Sequence, residues 1–530
     1  MKINTCLISV YDKTNILSFA KFLKSYNIQI VSTGGTADIL KNNKIEVTLV
    51  DEITNFPEIL DGRVKTLHPS IHGGLLAKRN NQTHMKTIED HNIKPIDMLV
   101  TNLYPFREKR KQSNSTDEII ENIDIGGSTL LRAAAKNFND VLVVTDPNDY
   151  SMIISLIKKN QISLELRIAQ ATKAFDSSWR YEREISNFFN VMNKKYFTNN
   201  KHSKSDLNST FLEKSLFSIN FKKYSKLRYG ENPHQNAAIY HDEKTEGKEL
   251  ICSNQIQGKE LSFNNIVDAD TASQCVEMFM NPACVIVKHA NPCGVAEAES
   301  CLDAFQRAKL TDVISSFGSV IAFNKLVDQE LAKLISEQFI ELIIAPEFTK
   351  GALKMFSKRE NLRVIKKQNS NAISDNNLEI KTIKGGYLVQ TSDYYKSNTL
   401  DLSFVTKIKP SEKELSDLKF AWHVSNWVKS NAIVFCRDYR TLGIGAGQMS
   451  RLDSVKIAKI KAQQAGLSLE NSVVASDAFF PFRDGVDVLS DVGAKSVIQP
   501  GGSIKDSEII KAADEHNISM VFTSIRHFRH

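Results

Sequence analysis

The opening stretch of the chain alternates short apolar runs with amphipathic segments. INTCLISV (3–10), IQIVS (28–32), VTLV (47–50), IDMLVTN (96–102) and VLVVT (141–145) each read as a strand buried on both faces. Ile16, Ala20 and Leu23 recur at i, i+4 and i+7, which is one face of a helix. Strands alternating with helices predict a mainly parallel, doubly wound sheet, whose ligands bind beyond the carboxyl ends of the strands. Residues 161–192 read as a long helical connection, and the polar NKKYFTNNKHSKSDLNST (193–210) as a linker. Beyond it ACVIV (283–287), SVIAF (319–323), LIIAP (342–346) and AIVFC (432–436) again alternate with helical segments. This predicts a second α/β region of two similar subdomains, interrupted by an excursion near 350–400. No short-period repeat is visible.

Composition narrows the class without naming it. A chain of 530 residues is too long for one core and predicts roughly three or four domains. The net charge of +7 and pI of 8.8 are small for this length. No dense Lys/Arg run interleaved with aromatics marks a nucleic-acid track, so the extra cations serve anionic small molecules or a solvated surface. Seven cysteines with no CxxC pair argue against a zinc ribbon and a disulfide framework. The N-terminus lacks the apolar core of a signal peptide, and no apolar stretch reaches the ~20 residues that span a bilayer. The expectation is a reduced, cytoplasmic protein with no membrane partner.

Two distant clusters carry the chemistry. GRVKTLHPSIHGG (62–74) places Arg63, Lys65, Thr66, His68 and His72 in a Pro-stiffened segment. VKHANPCG (287–294) ends an apolar run with Lys288 and His289. Each pairs a cation with a proton-transfer group, which points to two active sites. Near the first, Ser32, Thr33, Gly34, Gly35 and Thr36 lie between a strand and a helical segment. They form a phosphate cradle with Lys13 as countercharge, or an ordinary strand–turn–helix corner. Asn102 and Tyr104 follow a strand, Asp124 precedes a Gly-Gly helix start, and Lys136 sits further along that helix. Singly, Tyr104 can cap the core, Asp124 can be an N-cap and Lys136 a helix C-terminal charge. Their joint placement after strands favours a site.

At the second cluster, an imidazole of pKa ~6.5 exchanges protons near neutrality, and an adjacent lysine can hold an oxyanion. Cys293 invites a Cys–His nucleophile, but no orienting third group is evident. The HxE…PCxxC zinc-deaminase signature is absent. GIGAGQMSR (443–451) is glycine-dense without being GxGxxG, so a nicotinamide-dependent dehydrogenase is weakly supported. SDAFFPFRDGVD (476–487) could stack a flat heterocycle or form a hydrophobic corner.

GRVKTLHP, NLYPF, DIGG…LLRAAAKN, LRYGENPHQ, KHANPCG, SSFGSVIAFN, GIGAGQMSR and SDAFFPFRD occur in that order, and together the chain resembles the bifunctional AICAR formyltransferase/IMP cyclohydrolase family of purine biosynthesis. The resemblance runs from residue 3 to 530. It implies an α/β protein: a methylglyoxal-synthase-like cyclohydrolase domain over 1–195, a linker over 196–226, and a formyltransferase region over 227–530. That last region would consist of two cytidine-deaminase-like subdomains without zinc. The implied reactions are formyl transfer from 10-formyltetrahydrofolate, as co-substrate, to AICAR, then dehydrating closure of formyl-AICAR to IMP. No redox cofactor is implied, a monovalent cation is left open, and a homodimer with transferase sites at its interface is expected.

Residue by residue, the resemblance puts Lys65, Tyr104, Asp124 and Lys136 in cyclohydrolase catalysis, with Arg63, Thr66 and Asn102 as contacts. Lys13 and residues 32–36 fall where the substrate phosphate is held. Lys288, His289 and Asn431 match the transferase's catalytic group. Arg228, Tyr229, Asn265, Gly318, Glu341, Gln448, Arg451, Phe479, Asp484 and Arg526 match substrate contacts. Tyr11 departs from the small Ser expected there. Two other readings stay in view: a chain with only the transferase working, and a binding protein on a retired scaffold.

Overall fold

The structure, a computed structural model, describes residues 1–60, 63–113, 115–197, 219, 221–242, 254–367, 378–393 and 400–530. It divides into two compact units, Met1–Lys204 and Ser205–His530.

In the first unit β1 (Thr5–Val10), β2 (Gln29–Ser32), β3 (Thr48–Leu49), β4 (Met98–Asn102) and β5 (Leu142–Val144) form one parallel sheet in the order β3-β2-β1-β4-β5. Successive side chains of a strand leave on opposite faces. Cys6, Ile8 and Val10 therefore enter one core with Ile16, Phe19, Ala20 and Leu23 of the helix Ile16–Ser25. Leu7, Val31 and Leu99 enter the other, under the helices Pro69–Leu76 and Ile125–Lys136. Cover on both faces explains why these strands read as apolar runs and not as alternation. VTLV supplies only a two-residue strand, because Val50 opens the helix Val50–Thr54.

The strand order reverses at β1, which lies between β2 and β4. A sheet of this kind leaves a crevice there, beyond the carboxyl ends of the strands. The long helix runs Leu164–Phe197 and takes in the first two residues of the expected linker. Residues 198–218 of that linker lie outside the described residues, and its last six are strand.

Among the described residues the first strands of the second unit are a hairpin of β6 (Phe221–Lys226) and β7 (Ala238–Asp242). Next come β8 (Asn254–Gln257), β9 (Ala283–Lys288), β10 (Asn291–Glu297), β11 (Ser319–Phe323), β12 (Ile340–Ala345) and β13 (Arg363–Lys366). In the 350–400 excursion β14 (Leu378–Ile383) and β15 (Gly386–Thr391) make a second separate hairpin. The series ends with β16 (Ser403–Phe404), β17 (Ile433–Arg437), β18 (Arg440–Gly445), β19 (Val473–Ser476), β20 (Ser496–Gln499) and β21 (Ser519–Phe522).

Twelve of these strands form one sheet, β16-β21-β20-β19-β17-β18-β10-β9-β11-β12-β13-β8. Its two halves repeat one plan. β9 is antiparallel to β10 and β11, and β11, β12 and β13 are parallel. Likewise β17 is antiparallel to β18 and β19, and β19, β20 and β21 are parallel. The halves meet where β10 pairs with β18. A helix precedes each leading strand, Phe263–Val276 and Glu412–Ser425, and each starts with a capping box, Ser262 with Asn265 and Ser411 with Glu414. These two helices cover one face of the sheet with a single core spanning both halves, whereas the other face carries two separate cores.

Glycine explains the close packing on that second face. A Cβ on Gly294 of β10 would lie 2.1 Å from Ala308 O, and one on Gly443 of β18 would lie 2.4 Å from Ala458 O. Gly443 in GIGAGQ thus lets a helix backbone approach a strand, which accounts for this glycine without any dinucleotide turn.

Candidate functional site

The first unit gathers its polar residues at the carboxyl ends of β1, β2 and β4. Asn102, last in β4, reaches across to the loop after β1. Its Oδ1 accepts the Tyr11 and Asp12 N–H groups at 2.7 and 2.9 Å, and its Nδ2 donates to Asp12 O at 3.1 Å. The Tyr11 and Tyr104 rings then meet at 5.1 Å between centroids. The Lys13 amine folds back on the Tyr11 carbonyl at 3.2 Å.

After β2, Gly34 adopts φ +47° and opens the helix Gly34–Asn42, where Thr33 is the N-cap residue but makes no side-chain cap bond. The Ser32 and Thr36 hydroxyls donate instead to Ile8 O and Val10 O of β1, at 2.7 and 3.0 Å. What STGGT can offer an anion is therefore its backbone N–H groups and the Thr33 hydroxyl. There is room for one, since a Cβ on Gly35 would meet nothing within 4 Å.

Lys65 stands at this helix start, where a Cβ on Gly34 would lie 3.4 Å from its Nζ. The same amine bonds Glu58 Oε1 at 3.3 Å. Asp124 caps the helix Ile125–Lys136, its Oδ1 accepting the Gly127 N–H at 2.7 Å. The Tyr104 N–H also bonds this carboxylate, and Lys65 acts on its charge. Burial outweighs all three and holds the Asp124 carboxyl above its ordinary pKa. The Asp124 N–H donates to the Tyr181 hydroxyl at 2.7 Å, a phenol whose pKa burial pushes up to about 12. Thr66 is buried, its Oγ1 2.9 Å from where a Gly126 Cβ would be, and Arg63 pairs with Glu121.

Lys65, Thr66, Tyr104 and Asp124 are thus brought together beside Gly34. Lys136 is not. It ends the helix that Asp124 begins, exposed and about 18 Å away along the axis. His68 takes a structural part, its Nδ1 accepting the Ser70 N–H as N-cap of the helix Pro69–Leu76. His72 lies inside that helix, and burial lowers the pKa of its imidazole.

In the second unit His289 and Ala290 form the two-residue turn between β9 and β10, with φ of +51° and +57°. Two left-handed residues are what such a hairpin requires, at a steric cost to any side chain. Lys288 Nζ donates to the carbonyls of Phe317 at 3.0 Å and Gly318 at 2.7 Å, leaving one of its three N–H groups for a ligand. Asn291 Oδ1 accepts the Lys429 N–H at 2.9 Å, which ties the turn to the loop before β17. Asn431 on that loop donates to Gln448 O and Met449 O at 2.8 and 3.2 Å, so its amide oxygen is the end open to a ligand. Arg451 donates to Asp477 Oδ1 at 2.6 Å and to Phe479 O at 3.1 Å, and Asp477 also accepts the Ser430 hydroxyl.

Lys288 thus bonds Gly318 beside the His289 turn, while Asn431 with Gln448 and Arg451 with Phe479 form separate pairs on and after the loop that Asn291 ties to that turn. Other expected contacts have local partners. Asn265 completes its capping box, Glu341 pairs with Arg363 at 2.9 Å, and the exposed Asp484 bonds the next residue's N–H. Arg228 lies over Tyr229 and Arg526 over Phe528. The Cys293 thiol contacts Ile286 O, and burial pushes its pKa up to about 12, which disfavours the thiolate a nucleophile needs. Glu58, Tyr181 and Asp268 support these groups without standing out in the sequence, and Asp477 does so from within SDAFFPFRD.

Among the described residues no helix is long and apolar enough to cross a membrane, and no cluster of three His, Cys, Asp or Glu is arranged to hold a metal. The model of the AICARFT/IMPCHase bienzyme family matches residues 134–461, and that of the MGS-like domain matches residues 15–129. A solved structure titled "Crystal structure of ForH" is 30% identical, covering 35% of this chain and 97% of its own, with a TM-score of 0.33.

Proposed function

The chain belongs to the AICARFT/IMPCHase bienzyme family, and we propose that its two units divide the two reactions between the Lys65–Asp124 group and the Lys288–His289 turn. Membership makes it a bifunctional enzyme of purine biosynthesis, a formyltransferase and an IMP cyclohydrolase. It acts on AICAR and formyl-AICAR with a folate-derived formyl donor, and its N-terminal domain is methylglyoxal-synthase-like.

In the proposed transfer, 10-formyltetrahydrofolate binds beside AICAR. The 5-amino nitrogen attacks the formyl carbon, its proton passes to His289, and N10 departs with the bonding pair and regains a proton from the imidazole. The one uncommitted N–H of Lys288 holds the formyl oxygen as charge grows on it, and the Asn431 oxygen orients the amine. Acid–base help of this kind is worth ~10²–10⁴-fold, and positioning must supply much of the rest.

In the proposed closure, the carboxamide nitrogen attacks the formyl carbon and the oxygen leaves as water. Lys65 supplies hydrogen bonds to that oxygen while Asp124 accepts from the attacking amide, with the Tyr104 phenol alongside. The phosphate rests on the N–H groups of Gly34 and Gly35 with Lys13 near. Lys136 enters on resemblance alone, and normal closure by Lys136→Ala would remove it.

We place the enzyme in the cytoplasm as a homodimer. The exposure of Ile314 at 80% and Phe317 at 62%, next to the carbonyls that hold Lys288, supports a second copy covering this edge.

The observation that carries the assignment is Asp124 held by Tyr104 while Lys65 bears on it at an open helix start. Purified protein given AICAR and 10-formyltetrahydrofolate should produce IMP. Lys65→Ala should accumulate formyl-AICAR with transfer intact, and His289→Ala should stop transfer yet still close supplied formyl-AICAR. Loss of both activities in either folded variant would sink the division of labour.

A further inference from the structure

One acidic residue on the leading helix of each half bonds the tight turn that follows the first strand. In the second half, Asp417 accepts the N–H groups of Asp438 at 2.9 Å and Tyr439 at 2.7 Å. Those two residues make the β17–β18 turn, both with φ +55°. In the first half, Asp268 Oδ1 accepts the Ala290 N–H at 2.6 Å, and the His289 N–H adds a weaker contact. Ser262 and Ser411, Asp268 and Asp417, and Lys288 and Arg437 are separated by one constant interval in the chain. The clamp is therefore a repeated device of the fold, and only in the first half does the clamped turn carry a histidine.

A non-glycine pair in the left-handed region persists only where the surroundings hold it. A carboxylate accepting from such a turn is an effective holder, because an N–H bond to a charged oxygen is roughly twice as strong as a neutral one. Without it, the turn relaxes toward right-handed backbone and the imidazole moves relative to Lys288, whose amine is fixed separately by Phe317 O and Gly318 O. A misplacement of about 1 Å can cost on the order of 10²-fold in rate.

We infer that Asp268 is a positioning residue for formyl transfer, holding the left-handed His289–Ala290 turn so that the imidazole meets the amine of the substrate. The inference rests on the reading that His289 serves the transfer, and the test separates the two. Steady-state transfer from 10-formyltetrahydrofolate to AICAR is measured for Asp268→Ala, Asp268→Asn, Asp268→Ala with Ala290→Gly, His289→Ala and Asp417→Ala, with AICAR binding by calorimetry to confirm an intact second unit.

Asp268→Ala should lower kcat about 10- to 100-fold with both KM values within about 3-fold. Asp268→Asn keeps an acceptor oxygen and should stay within about 5-fold of the parent. Glycine at 290 takes the left-handed conformation freely and should restore part of the loss. Asp417→Ala should lower stability and leave transfer kcat within about 3-fold.

The inference is overturned if Asp268→Ala keeps the parent kcat, or if Asp417→Ala slows transfer as much as Asp268→Ala. Should Asp268→Ala fail to bind AICAR, Asp268→Asn decides, and a fall beyond 10-fold there also overturns it. If His289→Ala itself transfers normally, the reading of the site fails instead.

Discussion

Removing the charge of Asp477 should destabilise the second unit more than almost any surface change could. The Arg451 and Asp477 side chains are 8% and 0% exposed, with Nη2 and Oδ1 2.6 Å apart. At that separation the gross attraction is about 6 kcal/mol for an effective dielectric near 20. Desolvation of both ions offsets much of it, so the net worth of the pair is small. Asp477→Asn, however, leaves the guanidinium buried without its counterion and turns an amide toward a donor, at a cost of about 3–5 kcal/mol.

Trp422 and Trp427 are buried in this unit, whereas Trp179 of the first unit is 52% exposed, so urea unfolding followed by tryptophan fluorescence reports mainly on the second unit. Asp477→Asn and Arg451→Met should each lower its stability by that amount, and Asp477→Leu with Arg451→Met should recover most of the loss. A single-variant effect below about 1 kcal/mol, the scale of exposed pairs, would refute the burial argument. A double variant as unstable as the sum would refute the pairing.

Two titrations give further outcomes. Asp124 carries a raised pKa, and its active form in ring closure is the carboxylate, so closure of supplied formyl-AICAR should be full above that pKa and fall as pH drops through it. The acid limb should lie above the ordinary value of 3.8 and vanish in Asp124→Asn; a limb at or below 3.8 would contradict the assignment. Burial holds the His423 imidazole down to about 4 from 6.5, so it folds neutral while the unfolded chain takes up a proton. Stability is then intact above pH 6.5 and falls by about 3 kcal/mol toward pH 4. Urea midpoints across that window should show the loss, and His423→Gln should reduce it.

The parallel sheet is legible in the chain because its strands are covered on both faces and leave unbroken apolar runs. Gly34, Tyr104 and Asp124 are legible as residues following strands or opening helices, and Lys65 as a cation in the Pro-stiffened segment ahead of Pro69. Lys136 shows the limit of that reasoning. It shares a helix with Asp124, but an α-helix separates its two ends by 1.5 Å per residue, so nearness in sequence becomes distance in space. His68 shows another, since an imidazole just before a helix is as able to cap its N–H groups as to move a proton. Asp268 is silent because the turn it holds lies 22 residues further along the chain, and Asp477, although inside SDAFFPFRD, gives no sign of its partner Arg451 26 residues before it. A signal for Asp268 does exist: comparison of the chain with itself aligns Ser262, Asp268 and Lys288 with Ser411, Asp417 and Arg437.

The single core shared by the two leading helices binds the repeated halves into one cooperative block. Neither half of the sheet is complete, because its partner's residues fill the apolar face that its own helix leaves open, Val285 and Val287 from one side and Val434 and Cys436 from the other. A chain cut between β15 and β16 would leave two fragments with wet apolar faces that regain their shape only on meeting each other.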